Sequence, residues 1–230
     1  MKRTLMILMV LLVALFVASA AATKEEPVEN GKRTVTDVVG RTVEIPATVT
    51  KIVALGSGAP RIAGYLDAFD LFCGIEKADS NGVTILRDYS PVYITEEVMK
   101  LPIVGNGGGS GSNNGYPEAI ILAEPDVILA GFSSEAADEL QKQTGIPVVS
   151  VRYTSTGLAN ESFYASLRVF AETIGKEERG EEVLSFIDSV KKDLLDRTSS
   201  IPMEEKPKAY SGAVTFSGRH GFCGTYGAFG

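Results

Sequence analysis

The chain has 230 residues, 44% of them hydrophobic, enough for a buried core spread over one or two domains. Charged residues make up 22% and the formal net charge is −7, an acidic balance that argues against nucleic acid as a partner. One His (His220) and two Cys leave too few ligands for a metal cage of imidazoles and thiolates.

The first elements set the compartment. "MKRT" is a basic start, "LMILMVLLVALFVASA" an uncharged apolar run, and "ASA" before "AATKEE" a small-residue cleavage site. Residues 1–22 therefore read as a signal peptide for export, to the periplasm or cell surface, with an uncleaved membrane anchor as the rival. No Cys follows the run, so a lipid anchor is not indicated. Residues 23–33, opening "TKEEPVENGK", read as a flexible tether.

A lobe of α/β type is expected over residues 34–155. "RTVTDVVGRTVEIP" alternates apolar and polar residues about a central Gly-Arg and predicts a β-hairpin. "KIVALG", "LFCGIE", "PIVG", "DVILAG" and "IPVVSV" are short apolar runs that suit buried parallel strands. Between them lie helical stretches. "APRIAGYLDAFD" puts Ile62, Leu66 and Phe69 on one face, "PEAIILAEPD" is stopped by Pro125, and "SEAADELQKQTG" has Ser133 or Ser134 as N-cap and Gly145 as stop. Strands alternating with helices give a mostly parallel sheet, whose ligands sit outside the carboxyl ends of the strands. "GSGAPR", "GNGGGSGSNNGY", "GFSSE" and "RYTSTG" all fall at such ends. The Gly-rich stretch is bracketed by two elements of one sheet, which favours a ligand loop over a free linker.

Residues 156–200 are helical. Phe163, Leu167, Phe170 and Ile174 share one face; Val183, Ile187, Val190 and Leu194 share another. At ~1.5 Å per residue, Glu177 to Thr198 spans roughly 33 Å, a domain diameter, as a connector between lobes would. Residues 201–230 open a second lobe with the strand-like "KPKAYSGAV", and the sequence reads as stopping inside it. Cys73 and Cys223 have the means to pair in an oxidising compartment, but their flanks do not argue for it; Cys73 reads as a buried thiol.

Catalytic motifs are poorly supported. "VALGSGAPRIAG" offers Gly56-x-Gly58 with Glu76 about twenty residues on, but Arg61 occupies the third glycine position of a dinucleotide fingerprint. In such an enzyme Glu76 faces the cofactor ribose; in a binding protein it is expected to end its strand away from the cleft. A P-loop is excluded, and Ser57 lacks the nucleophile-elbow pattern. Tyr89, Tyr93, Tyr116 and Tyr153 are candidate ferric ligands, though half-buried rings with hydrogen-bonded hydroxyls are the preferred reading. What remains is binding: glycine loops expose backbone N–H groups, and Arg61, Arg87 and Arg152 face either anionic ligand groups or solvent.

The order "TDVVGRTVEIPATVTKIVALGSG", "AGYLDAFDLFCGIEKAD", "LPIVGNGG", "NNGYPEAIILAEPDVILAG", "TGIPVVSV", "RVFAETIGKEERGEEVLSFI" resembles the substrate-binding proteins of ABC importers for ferric siderophores, haem and cobalamin. The resemblance spans about Thr34 to Val214. It implies two Rossmann-like α/β lobes joined by one long helix, the second lobe truncated here, with the ligand in the cleft between them. It implies a monomer that performs no chemistry and has no cofactor of its own. Its cargo would be an iron or cobalt chelate, a ferric siderophore first and haem or a corrinoid next. The expected contacts are Ser57, Gly58, Arg61, Asn106, Gly107, Gly108, Asn113, Asn114, Phe132 and Tyr153, with Arg219 and His220 entering from the second lobe. The resemblance also implies a membrane permease that grips Glu118. The Gly/Asn-rich loop is longer than such proteins usually carry. The competing readings are an exported NAD-type oxidoreductase and a binding protein for a bare metal ion or an oxyanion.

Overall fold

The computed structural model describes residues 31–56, 58–83, 89–107, 114–152 and 160–207. The signal peptide, most of the tether and the expected second-lobe strand lie outside the described residues, as do Arg87 and Cys223. The described residues from Lys32 onward belong to one compact unit.

The hairpin is present. β1 (Lys32–Thr36) pairs antiparallel with β2 (Thr42–Pro46), with Val35 opposite Val43. Alternation puts Val35, Val43 and Ile45 in the core. The tether boundary moves: Lys32 and Arg33, whose charges read as linker, are strand residues. Each charge has a partner that sequence spacing does not reveal. Lys32 Nζ lies 2.5 Å from Glu44 Oε1. The Arg33 guanidinium donates to the carbonyls of Glu172 and Thr173 at 2.7 and 2.9 Å, satisfying the open end of a distant helix.

Five parallel strands follow: β3 (Ile52–Leu55), β4 (Ile75–Glu76), β5 (Ile103–Gly105), β6 (Val127–Ala130) and β7 (Val148–Ser150). β3, β6 and β7 form one ladder, and β4 and β5 another. A bridge between Ile52 and Phe72, with Cys73 N–H donating to Ile52 O at 3.1 Å, joins them. The strands thus read β5-β4-β3-β6-β7 across the fold, and the winding reverses between β3 and β6. "LFCGIE" keeps only its last two residues as strand, because Phe72 and Cys73 touch β3 through that single bridge. Cys73 is half-buried and a free thiol; burial, partly offset by Lys51, pushes it up to about 11.

Two apolar layers enclose the sheet. Ile52 and Ala54 of β3 enter one core cluster, Val53 and Leu55 the other, so the strand is buried on both faces. The first cluster receives α1 (Ala59–Tyr65), α5 (Glu161–Ile174) and the start of α6 (Glu177–Thr198). The second receives α3 (Pro117–Ala123) and α4 (Ser134–Thr144). A short α2 (Ser90–Tyr93), with no sequence signal of its own, stacks Tyr93 on Phe69 with centroids 4.6 Å apart. α1 stops before Phe69, which sits in a separate 3-10 turn. Of the two N-cap candidates for α4, Ser133 is the cap: its Oγ accepts from Ala136 N–H at 3.3 Å, and Gly145 ends the helix.

α6 runs Glu177–Thr198 as the spacing predicts, but its apolar face is covered only in part. Leu184 is buried and Val183 and Ile187 pack on the core, whereas Val190 and Leu194 are 42% and 56% exposed. The expected packing of those two is not observed among the described residues. α5, at 14 residues against 22, is too short to cover the whole stripe.

Candidate functional site

The carboxyl ends of β3, β4, β5 and β6 lie side by side, and their loops form one surface. After β3, Gly56 turns with φ +80° and its N–H donates to Glu76 Oε1 at 2.7 Å, a buried bond. Gly58 then precedes α1, its carbonyl accepting from Ile62 N–H at 3.1 Å. On the far side, Gly131 N–H donates to Leu55 O at 3.0 Å, placing the β6 loop against the β3 loop. A methyl group on Gly56 would lie 3.5 Å from both the Gly131 nitrogen and the Phe132 ring. Phe132 is 1% exposed, part of the second core cluster. Phe132, one of the expected ligand contacts, forms the floor under the loops, its ring packed in the core beside Gly56.

The Gly-rich stretch has a defined base. Asn106 N–H donates to Asn114 O at 3.0 Å, Tyr116 N–H donates to Val104 O at 2.8 Å, and Gly105 bridges Gly115 antiparallel. Its described ends, 104–106 and 114–116, pair with each other at the end of β5, so this Gly-rich finger is anchored on the sheet at both ends rather than strung as a tether between bodies. The stem leans on the chain after β4: Lys77 N–H donates to Gly105 O at 2.7 Å and Ala78 N–H to Asn106 O at 3.1 Å. Gly107, with φ +80°, packs so tightly that a Cβ there would come 2.4 Å from Ala78 Cβ and 3.2 Å from Glu76 Cβ. The Tyr116 hydroxyl donates to Asn106 Oδ1.

Polar side chains gather on the same side. Arg61, in the first turn of α1, has its guanidinium carbon 5.7 Å from the centre of the Tyr89 ring, within cation–π range. The Tyr89 hydroxyl points at Asp79 Oδ1 across 3.4 Å, and Asp79 is buried. The Tyr93 ring is 1% exposed, and burial pushes its phenol up, with Asp79, Tyr89 and Glu76 adding to it. Among the described residues no group of three or more His, Cys, Asp or Glu is arranged to hold a metal ion.

Glu76 is the residue that sequence reasoning misplaced. It does not turn away from the loops; its carboxylate, 3% exposed, lies beneath them on the Gly56 N–H. Nor does it face outward as a ribose acceptor would. A charged group ending an apolar run is the available signal, and it carries no direction. Of the expected contacts, Gly58, Arg61, Asn106, Gly107 and Asn114 flank this surface. Ser57, Gly108, Asn113, Tyr153, Arg219 and His220 lie outside the described residues. Arg152 is exposed, and its backbone exchanges bonds with the Ser166 hydroxyl at 2.7 and 2.8 Å. Glu118 is exposed in the first turn of α3, with Leu122 one turn on and 83% exposed.

A family model described as periplasmic binding protein matches residues 87–218, more than half of the chain. No curated protein matches the sequence. Among solved structures, the molybdate-binding protein MolA of Haemophilus influenzae superposes with a TM-score of 0.60 at 20% identity, over 78% of this chain and 58% of that one. A periplasmic solute-binding protein from Veillonella parvula gives 0.57 at 22% identity, over 75% and 50%. SirA of Staphylococcus aureus, solved with staphyloferrin B, gives 0.51 at 22%, over 74% and 53%. At these identities the likeness is one of fold. The chain spans about half the length of the structures it matches.

Proposed function

The chain belongs to the periplasmic binding protein family, and from that premise we propose that it captures a small metal chelate outside the cytoplasm and delivers it to an ABC importer. A ferric siderophore is the leading cargo, with haem or a corrinoid next. The observation that carries this reading is the surface at the carboxyl ends of β3 to β6. It consists of backbone turns, amides, Arg61 and tyrosine hydroxyls, groups that hydrogen-bond a polar ligand and release it unchanged. A glycine-rich stretch anchored on β5 suits close approach by a bulky polar complex. The dinucleotide alternative fits less well, because the Glu76 carboxylate is buried on the Gly56 N–H.

On this reading Gly58, Arg61, Asn106, Gly107 and Asn114 contribute one half of the binding cleft. Ser57, Gly108, Asn113 and Tyr153 belong to the same half by sequence position, and Arg219 and His220 to the other. α6 is the helix that links the halves. Glu118 is the docking residue for the permease, and the protein acts as an exported monomer.

The test uses the absence of Trp and the presence of eight Tyr, so that tyrosine emission reports on the cleft. The purified protein is titrated with a ferric catecholate, a ferric hydroxycarboxylate, haemin, cobalamin, molybdate and NAD. Saturable quenching by one chelate, weakened in Arg61→Ala, supports the reading. Saturation by molybdate alone would move the cargo to an oxyanion, and saturation by NAD alone would overturn the reading.

A further inference from the structure

We infer that Glu76 is a positioning residue: through its carboxyl group and its backbone it holds the turn at Gly56 and the base of the Gly-rich finger as one preformed surface. The inference rests on the reading of that surface as the ligand face.

Three contacts converge on this short strand end. The carboxyl Oε1 takes the Gly56 N–H at 2.7 Å, a buried bond. The left-handed turn at Gly56 points that N–H down into the fold. The Glu76 carbonyl accepts from Asp79 N–H at 2.9 Å, closing the turn that carries Lys77 and Ala78. Those two residues donate to Gly105 and Asn106, the first residues of the finger. Gly107 closes over the Cβ atoms of Ala78 and Glu76, where only a bare backbone fits. One residue therefore ties a loop from β3 to a loop from β5, and a shift of either is felt by the other.

A glutamine at this position keeps an amide oxygen at the Oε1 site; an alanine removes the acceptor and leaves the Gly56 N–H without it. The comparison separates bond geometry from charge. The first readout is ligand-free: hydrogen exchange and chemical shift of the Gly56 amide, by NMR on the whole protein, in Glu76→Ala and Glu76→Gln. Gly56 protection is expected to fall at least about tenfold in Glu76→Ala, with shifts at Asn106 and Gly107, and to stay within about threefold of wild type in Glu76→Gln. The Gly131 amide, bonded to Leu55, serves as the control and is expected to hold in both. The second readout is affinity for the chelate probe that the wild-type protein binds: about tenfold weaker in Glu76→Ala and restored in Glu76→Gln.

An unchanged Gly56 amide in Glu76→Ala would overturn the inference, as would a Glu76→Gln variant as impaired as Glu76→Ala. Should the wild-type protein bind none of the probes, the proposed function fails, and the amide readout still decides the role of Glu76.

Discussion

The Arg41 guanidinium lies 3.0 Å from the carboxylate of Asp37, across the turn of the first hairpin, with side-chain exposures of 12% and 0%. The pair is more than a turn lock. Arg41 also donates to Val148 O at 3.0 Å, Asp138 Oδ1 at 2.8 Å and Gln141 Oε1 at 3.3 Å. Asp37 accepts from Ser150 N–H at 3.2 Å and Arg41 N–H at 2.9 Å. The "DVVGR" of the sequence is thus the bolt that fixes the hairpin to β7 and α4. Removing Asp37 strands the Ser150 and Arg41 N–H donors and leaves the mostly buried Arg41 with Asp138, itself 64% exposed, as its remaining carboxylate. Asp37→Ala is expected to cost about 3 kcal/mol, read as a lower urea midpoint at unchanged slope. A loss below about 1 kcal/mol would mean that the pair is solvated.

Gly107 tests the packing of the finger. Gly107→Ala meets two separate penalties: a left-handed backbone at φ +80°, and a Cβ placed 2.4 Å from Ala78 Cβ. Together they are expected to cost about 2–3 kcal/mol. Ala78→Gly removes the second penalty and leaves the first, so the double variant is expected to regain about half of the loss. Thermal denaturation of the four proteins in the cycle measures this, and strict additivity would refute the contact.

Much of the fold is legible because its strands are short runs of uncharged aliphatics. "KIVALG", "DVILAG" and "IPVVSV" have few alternatives to burial on both faces, and Ser133 and Gly145 mark the ends of α4 by their own chemistry. The site is less legible for physical reasons. Glycine and asparagine carry no periodicity, so the pairing of residues 104–106 with 114–116 leaves no pattern in the sequence. A carboxylate at a strand end does not announce its partner, so the spacing does not show Glu76 reaching back to the Gly56 N–H. A helical stripe says which face is apolar, not how far its cover extends, and the outer half of α6 was misjudged for that reason.

Asp126 gives a prediction in pH. Its Oδ2 accepts from Thr50 N–H at 2.7 Å, Lys51 N–H at 2.9 Å and the Thr50 hydroxyl at 2.9 Å. Partial burial acts to raise this carboxyl, but those donors, with the Lys51 charge, outweigh it and hold the group below its ordinary value. A carboxyl lowered on folding contributes stability above its unfolded value near 3.8, and that contribution is lost as pH falls through the lower folded value. Between pH 5 and pH 2 the wild-type protein is therefore expected to lose more stability than Asp126→Asn, whose side chain does not titrate. Urea midpoints across that range check it. Parallel curves for the two proteins would show that Asp126 is not the group responsible.

The two halves of α6 should respond differently to the same truncation. Leu184, 2% exposed, sits on the first core cluster, where Gly180 allows the helix to approach Ala171 of α5 closely. Leu194, 56% exposed, lies about three turns later, beyond the reach of α5. Leu184→Ala removes buried methyl groups and opens a cavity, for an expected loss of about 2–4 kcal/mol. Leu194→Ala removes groups already in water and should change stability by less than about 0.5 kcal/mol. Both are measured on the same chain by chemical denaturation. An equally large loss at Leu194 would show that the outer half of the helix is covered in solution.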